Sequence, residues 1–309
     1  MGKIAFVFSG QGAQYSGMGK SLYENSPSAK RLYDSAEEIR PGTMAQSFSG
    51  TDEELKITAN TQPCLYLVDL ASALALSENG VKPEAVAGFS LGEVAALAFA
   101  SAYSHEDGFR LVTARGMAMN KACESGEKTA MCACLKLDTE TVKNLCAKRE
   151  KLYPVNFNCP GQISVSGLES SMEAFCADVK EAGGRTIPLA VSGAFHSPFM
   201  EGAADEFAKE LADYEFTAPK ITVYSNLTAE PYGENIAGNL ENQIKNPVRW
   251  QETIEKLISE GFTEFIEVGA GKTLCGLIGK TSKEVNTYSV QDAESLSATL
   301  TALREKGVI

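Results

Sequence analysis

Two periodicities divide the chain. Short, nearly unbroken apolar blocks read as strands buried on both faces: Lys3–Phe8, Ala85-Val86-Ala87 just after Pro83, Ile221–Asn226 and Phe265–Val268. Between them, apolar residues recur every three or four positions, as on a helix packed against a sheet. One such segment runs from Ser26 to Arg40. Another starts at Asn60-Thr61-Gln62-Pro63, with Pro63 in the first turn, and ends near Ser77 before Asn79-Gly80. Further helices are predicted over Glu93–Ala100, after Ser104, from Pro198 to Leu211, around Gln243, after Trp250, and over Lys272–Ile278, opened by Gly269-Ala270-Gly271.

The pattern changes between residues 126 and 192. A polar run, Glu124–Lys128, precedes a strand at Met131–Leu135 and a helix at Thr139–Arg149. Strands at Tyr153–Asn158 and Gln162–Gly167 follow, then a helix at Ser170–Ala182 and a strand at Arg185–Val191. The order β-α-β-β-α-β is that of a ferredoxin-like module. It interrupts an α/β unit with a mostly parallel sheet, which resumes at Ser192-Gly193. The expected organisation is a core of residues 1–125 and 193–309 with a small subdomain at 126–192.

Gly88-Phe89-Ser90-Leu91-Gly92 joins a predicted strand directly to a predicted helix. G-x-S-x-G in that context reads as a nucleophile elbow, where a strained turn lifts a serine hydroxyl clear of the backbone. Outside such a context, the same pattern is an ordinary glycine-bounded loop. A second glycine-rich segment, Ser9–Tyr15, follows the first strand. It fails G-x-G-x-x-G because Tyr15 takes the third glycine position, and no P-loop is complete. It is read as a set of backbone donors beside a group other than a triphosphate.

On the helix after Ser104, Leu111, Val112, Arg115 and Met119 share one stripe, which places Arg115 on the apolar face. A buried guanidinium needs a carboxylate or phosphate, either a ligand's or that of an internal acid. The chain has two histidines. His105 falls in the first turn of the Ser104 helix, facing solvent. His196 lies on a loop before the Ser197-Pro198 helix start and is the candidate to activate Ser90. Its ordinary pKa of about 6.5 sets the expected acid limb of activity. No triad acid is assignable between the two.

Composition narrows the function class. The net charge of -12 argues against a nucleic-acid backbone or an anionic membrane as partner. No apolar run approaches a membrane span and no signal segment is visible, so the expected location is cytoplasmic. Eight cysteines include no C-x-x-C pair, which favours free thiols over disulfides or a zinc site.

Four blocks together resemble the malonyl-CoA:acyl carrier protein transacylases of type II fatty acid synthesis. They are Phe8–Gln14, Gly88–Glu93, Gly193–Ser197 and Glu267–Gly271, and the likeness spans essentially the whole chain. The resemblance implies an α/β-hydrolase-like core carrying the ferredoxin-like insertion. It implies Ser90 as nucleophile, His196 as general base, and the backbone N–H groups of Gln11 and Leu91 as oxyanion hole. Arg115 becomes the clamp on the malonyl carboxylate, and the backbone carbonyl of Gln243 orients His196 in place of an acid. Phe195 and Phe89 become pocket residues, with Phe195 crowding the malonyl α-carbon. Many relatives have His where this chain has Phe89. The implied substrates are malonyl-CoA and phosphopantetheinylated acyl carrier protein, handled by a monomer without cofactor or metal. The carrier protein is itself acidic, so docking needs a local basic patch, for which Lys280 and Lys283 are candidates.

Overall fold

The computed structural model describes residues 2–191 and 193–309; Ser192, where the core was expected to resume, lies outside the described residues. Among the described residues, nine strands form two sheets. β1 (Lys3–Phe8) and β2 (Ala85–Gly88) belong to the first sheet. β3 (Thr129–Leu135), β4 (Leu152–Cys159), β5 (Gln162–Leu168) and β6 (Arg185–Pro188) form the second. β7 (Thr222–Tyr224), β8 (Phe262–Val268) and β9 (Asn286–Val290) return to the first.

The first sheet is wholly parallel, in the order β7-β2-β1-β8-β9. Its apolar blocks are continuous because both faces are covered. Ile4, Phe6 and Phe8 of β1 feed one core cluster, whereas Ala5 and Val7 feed another on the opposite face. The loops at the carboxyl ends of β1, β2 and β7 therefore open side by side, where α/β sheets commonly hold ligands. The second sheet is antiparallel, in the order β4-β5-β3-β6, and has its own apolar cluster beneath the helices Thr139–Ala147 and Glu169–Glu181. This α/β-hydrolase-like core with a ferredoxin-like insertion is the architecture expected. Backbone bonds stitch the two together at Val248, which exchanges contacts with Val155 and Phe157 of β4.

Some element boundaries differ from expectation. The long buried helix spans Thr58–Glu78, so Pro63 lies inside it rather than in its first turn. The helix starts earlier because Ile57 caps it directly behind the short helix Asp52–Lys56. Pro198 opens a 3-10 turn, Pro198–Met200, ahead of the helix Glu201–Leu211. β6 and β7 are shorter than their apolar blocks, since only part of each finds a partner strand. The last strand and helix, β9 and Ala293–Glu305, had no distinct apolar signal: β9 is only partly buried along most of its length.

Candidate active site

β2 ends at Gly88, the helix Leu91–Phe99 begins two residues past Phe89, and Ser90 between them has φ 55° and ψ -107°. Both glycines are steric requirements. A Cβ on Gly88 would lie 2.0 Å from the Gly92 carbonyl carbon, and one on Gly92 2.4 Å from the Phe8 oxygen. The turn thus closes only without side chains at those two positions, and the strained φ at Ser90 follows.

His196 also has positive φ, 59°, and is 3% exposed. Its backbone N–H donates to the Ile244 carbonyl at 3.1 Å. Its Nδ1 lies 2.9 Å from the Gln243 carbonyl oxygen, which can only accept, so Nδ1 carries the proton. Nε2 is then bare and accepts the Ser90 Oγ–H at 2.7 Å. Burial, reinforced by the positive Arg115, lowers the imidazole pKa to about 4, well below the 6.5 of an ordinary loop histidine.

Arg115 is 1% exposed on the helix His105–Ser125, whose Ser104 cap accepts the Asp107 N–H at 3.0 Å. It donates to Gln62 Oε1 (2.8 Å), Gln243 Oε1 (2.8 Å) and Ser90 Oγ (3.2 Å). Its Nε is buried with no partner. No carboxylate lies within ion-pair distance of it among the described residues, so the alternative of an internal salt bridge is not realised. Burial lowers its pKa to about 10, and the strongest charge holding it up is Glu93. Glu93 is itself fully buried, and burial raises its carboxyl to about 7 against hydrogen bonds from Tyr232 and the Asn226 backbone. The Gln243 side chain links the parts: while its oxygen accepts from Arg115, its Nε2 donates to the Ser90 carbonyl at 2.7 Å.

Gln11 and Leu91 lie where the loop after β1 meets the start of the elbow helix. Leu91 is the first helical residue, so its N–H has no helical acceptor. The loop is anchored from below by Ser9, whose Oγ donates to the buried Asp69 at 2.7 Å. Gln11 and Phe89 line a cavity of about 240 Å³ that reaches Asn156, Asn158 and Gln162 of the insertion. The side-chain oxygens of Asn156 and Asn158 are buried there without partners. Phe89 packs edge-on against Trp250, with ring centroids 5.4 Å apart. Phe195 is buried next to His196 in the larger core cluster and does not line that cavity.

His105 is half-buried rather than solvent-facing and lines a different, open pocket beside Ser101 and Glu215. Of the two lysines, Lys280 reaches Gln162 Oε1 at 3.0 Å, whereas Lys283 caps its own helix at Gly279. Among the described residues no cluster of three or more His, Cys, Asp or Glu side chains could hold a metal, and no helix is long and apolar enough to cross a membrane.

Sequence reasoning missed Gln62, Glu93, Asn226 and the Gln243 side chain. Glu93 carried a signal, being the one charge in an otherwise apolar helix. Gln62 and Asn226 carried none, because each matters only through a partner far along the chain.

The fold and the serine–histidine–arginine grouping define an acyl-transfer type of site, and the profile of the acyl transferase domain matches residues 5–302. The malonyl CoA-acyl carrier protein transacylase of Bacillus subtilis is 41% identical over 99% of this chain and 99% of its own length. That of Synechocystis is 36% identical over 96% and 99%. The crystal structure of the Clostridium perfringens transacylase superposes with a TM-score of 0.95 at 37% identity, covering 99% of this chain and 98% of that one. A malonyl-transacylase solved in complex with its type II PKS acyl-carrier protein superposes with a TM-score of 0.92 at 34% identity, covering 97% and 99%. The chain belongs to the malonyl CoA-acyl carrier protein transacylase family and is an acyltransferase.

Proposed function

We propose that this protein moves a malonyl group from malonyl-CoA to the phosphopantetheine thiol of an acyl carrier protein through a malonyl ester on Ser90, supplying fatty acid synthesis. The observation that carries the reading is Ser90 Oγ, held between the bare Nε2 of His196 and the guanidinium of Arg115, which among the described residues has no carboxylate within ion-pair distance and whose Nε is unpartnered.

His196 takes the Ser90 proton as Oγ bonds to the thioester carbon, and the carbonyl electrons move onto oxygen. The backbone N–H groups of Gln11 and Leu91 hold that oxyanion; one such donor is worth about 2.7–4 kcal/mol of barrier. As the intermediate collapses, the C–S bond breaks and coenzyme A leaves with the proton from His196. The carrier thiol then gives its proton to His196 and attacks the ester carbonyl, and Ser90 regains its hydrogen. The Gln243 carbonyl fixes the imidazole without needing to ionise, so the pair works as a dyad. The malonyl carboxylate engages the free Nε edge of Arg115 and cancels part of the charge that depresses His196. Substrate binding therefore brings the base closer to working pH.

Asn156 and Asn158, with Gln11 and Gln162, give the adjoining cavity a polar wall for the amide groups of a pantetheine arm. Beyond it, Lys136, Arg185 and Lys280 line a shallow pocket with Gln162. They are a local positive site for an acidic carrier on a chain of net charge -12. The related structure with a bound acyl-carrier protein supports this partner class.

Intact-mass measurement after brief exposure to malonyl-CoA tests the reading. A malonyl adduct is expected on the wild type and absent from Ser90→Ala, with transfer to the added carrier protein. Rapid release of free malonate without an acceptor thiol would overturn it in favour of a hydrolase.

A further inference from the structure

The loop after β7 brings Asn226 against the backbone of the elbow, whereas His196 meets the Ser90 side chain. Asn226 is completely buried. Its Oδ1 accepts the Ser90 N–H at 2.7 Å, and its Nδ2 donates to the Gly88 carbonyl at 2.5 Å. One carboxamide therefore holds both ends of the strained turn. Glu93 in turn holds Asn226: its carboxylate accepts the Asn226 backbone N–H at 2.6 Å and the hydroxyl of Tyr232. Tyr232 is fixed independently, its N–H bonding the β7 carbonyl of Val223 at 2.8 Å. Glu93 lies one helical turn beyond Ser90, and its N–H donates to the Ser90 carbonyl at 3.1 Å. The assembly spans residues 88 to 232, and complete burial keeps the Asn226 carboxamide out of a substrate's reach. It also commits the Ser90 N–H to the protein, so the oxyanion's elbow donor is the Leu91 N–H alone.

We propose that Asn226 is a positioning residue for the Ser90 nucleophile, clasping the elbow at Gly88 and Ser90, and that Glu93 and Tyr232 act through it. The strain at φ 55° is affordable only while something over-determines the turn. Without the clasp, Ser90 relaxes toward ordinary backbone angles and Oγ leaves the line between His196 and the incoming carbonyl. Misplacement by about 1 Å is enough to cost on the order of 100-fold in rate. Substrate affinity is spared, because Arg115 and the cavity make no contact with Asn226.

This inference rests on Ser90 being the nucleophile, and the test separates the two. Two readouts are taken on wild type, Asn226→Ala, Glu93→Gln and the double variant. One is the single-turnover rate of malonyl loading; the other is the rate at which a small fluorophosphonate labels Ser90, which needs no malonyl recognition. Asn226→Ala is expected to slow both by about 100-fold, while the half-saturating malonyl-CoA concentration stays within about threefold. Glu93→Gln is expected to slow both by about tenfold, and the double variant no more than Asn226→Ala alone. If Asn226→Ala does not fold, Asn226→Asp replaces it. That variant keeps the acceptor for Ser90 but puts an oxygen against the Gly88 carbonyl, and a loss of about tenfold is expected. Wild-type labelling without malonyl loading would refute the substrate reading and leave the clasp testable by the probe. Labelling of a folded Asn226 variant at the wild-type rate, or strictly multiplicative losses in the double variant, would overturn the clasp.

Discussion

The parallel sheet and the antiparallel sheet treat polar groups in opposite ways. At the carboxyl end of the parallel sheet, Glu93, Arg115, His196 and Gln243 are each at most 3% exposed and held by hydrogen bonds to one another or to the backbone. The low-dielectric setting moves three of them far from their ordinary pKa values. The antiparallel sheet instead mixes buried and half-buried positions along β4, and Asn156 and Asn158, whose buried side-chain oxygens lack partners, line a cavity. The first region is pre-paired for chemistry at a point. The second lines a path with polar residues, as suits a long flexible substrate arm. Changes in the first should alter the rate of the chemical steps, and changes in the second the capture of coenzyme A or carrier.

The sharpest break comes from the dyad. Ser90→Ala and His196→Ala are each expected to lower malonyl transfer by on the order of 10⁴-fold or more, measured as carrier-protein loading. Next is Arg115→Ala, expected to cost about 100-fold in malonyl kcat/KM, as loss of a charge-assisted pair of about 1.5–3 kcal/mol implies. Acetyl loading should be spared; equal loss of both would place Arg115 among structural residues. Arg115→Lys should not rescue, since an ammonium lacks the planar fork.

Acid dependence tests the buried region as a whole. The free enzyme's kcat/KM should stay level as pH falls past 6.5 and decline only toward about 4, where His196 takes its proton. A decline centred at 6.5 would mean a solvated imidazole. Stability follows from the same groups. Between about 4 and 6.5 the unfolded chain binds the extra proton at His196, so acidification destabilises. Between 4.5 and about 7 the folded chain binds the extra proton at Glu93, so acidification stabilises. The two windows overlap and offset. Glu93→Gln removes the second, so its melting temperature should fall by several degrees more than wild type's between pH 7 and 4.5. The smallest effect belongs to the open region: Lys280→Ala should raise the KM for carrier protein severalfold, less so at high salt, with kcat unchanged.

Much of this was legible in the chain alone, for local reasons. The elbow announces itself because the G-x-S-x-G pattern sits between a strand and a helix, and Gly88 is required by a contact within five residues, although the contact that requires Gly92 comes from Phe8 on the neighbouring strand. The apolar blocks of β1 and β2 mark strands covered on both faces, and the stripe of Leu111, Val112 and Met119 puts Arg115 inside. Each is a periodicity or a steric rule read over a dozen residues or fewer. Ser90 came from the elbow and His196 from being one of two histidines, whereas the roles of Gln243, Gln11 and Leu91 entered through resemblance alone.

Tertiary structure alone decided who meets whom. Arg115 pairs with glutamines 53 and 128 residues away rather than with an acid, and Asn226 reaches Ser90 across 136. His196 adopts a positive φ while Ile244 and Gln243, nearly fifty residues away, hold its backbone and ring. Such contacts follow no period, since they arise where loops from separate strands converge. The pKa values follow them: burial and neighbouring charge exist only after the parallel sheet has gathered those loops at one end.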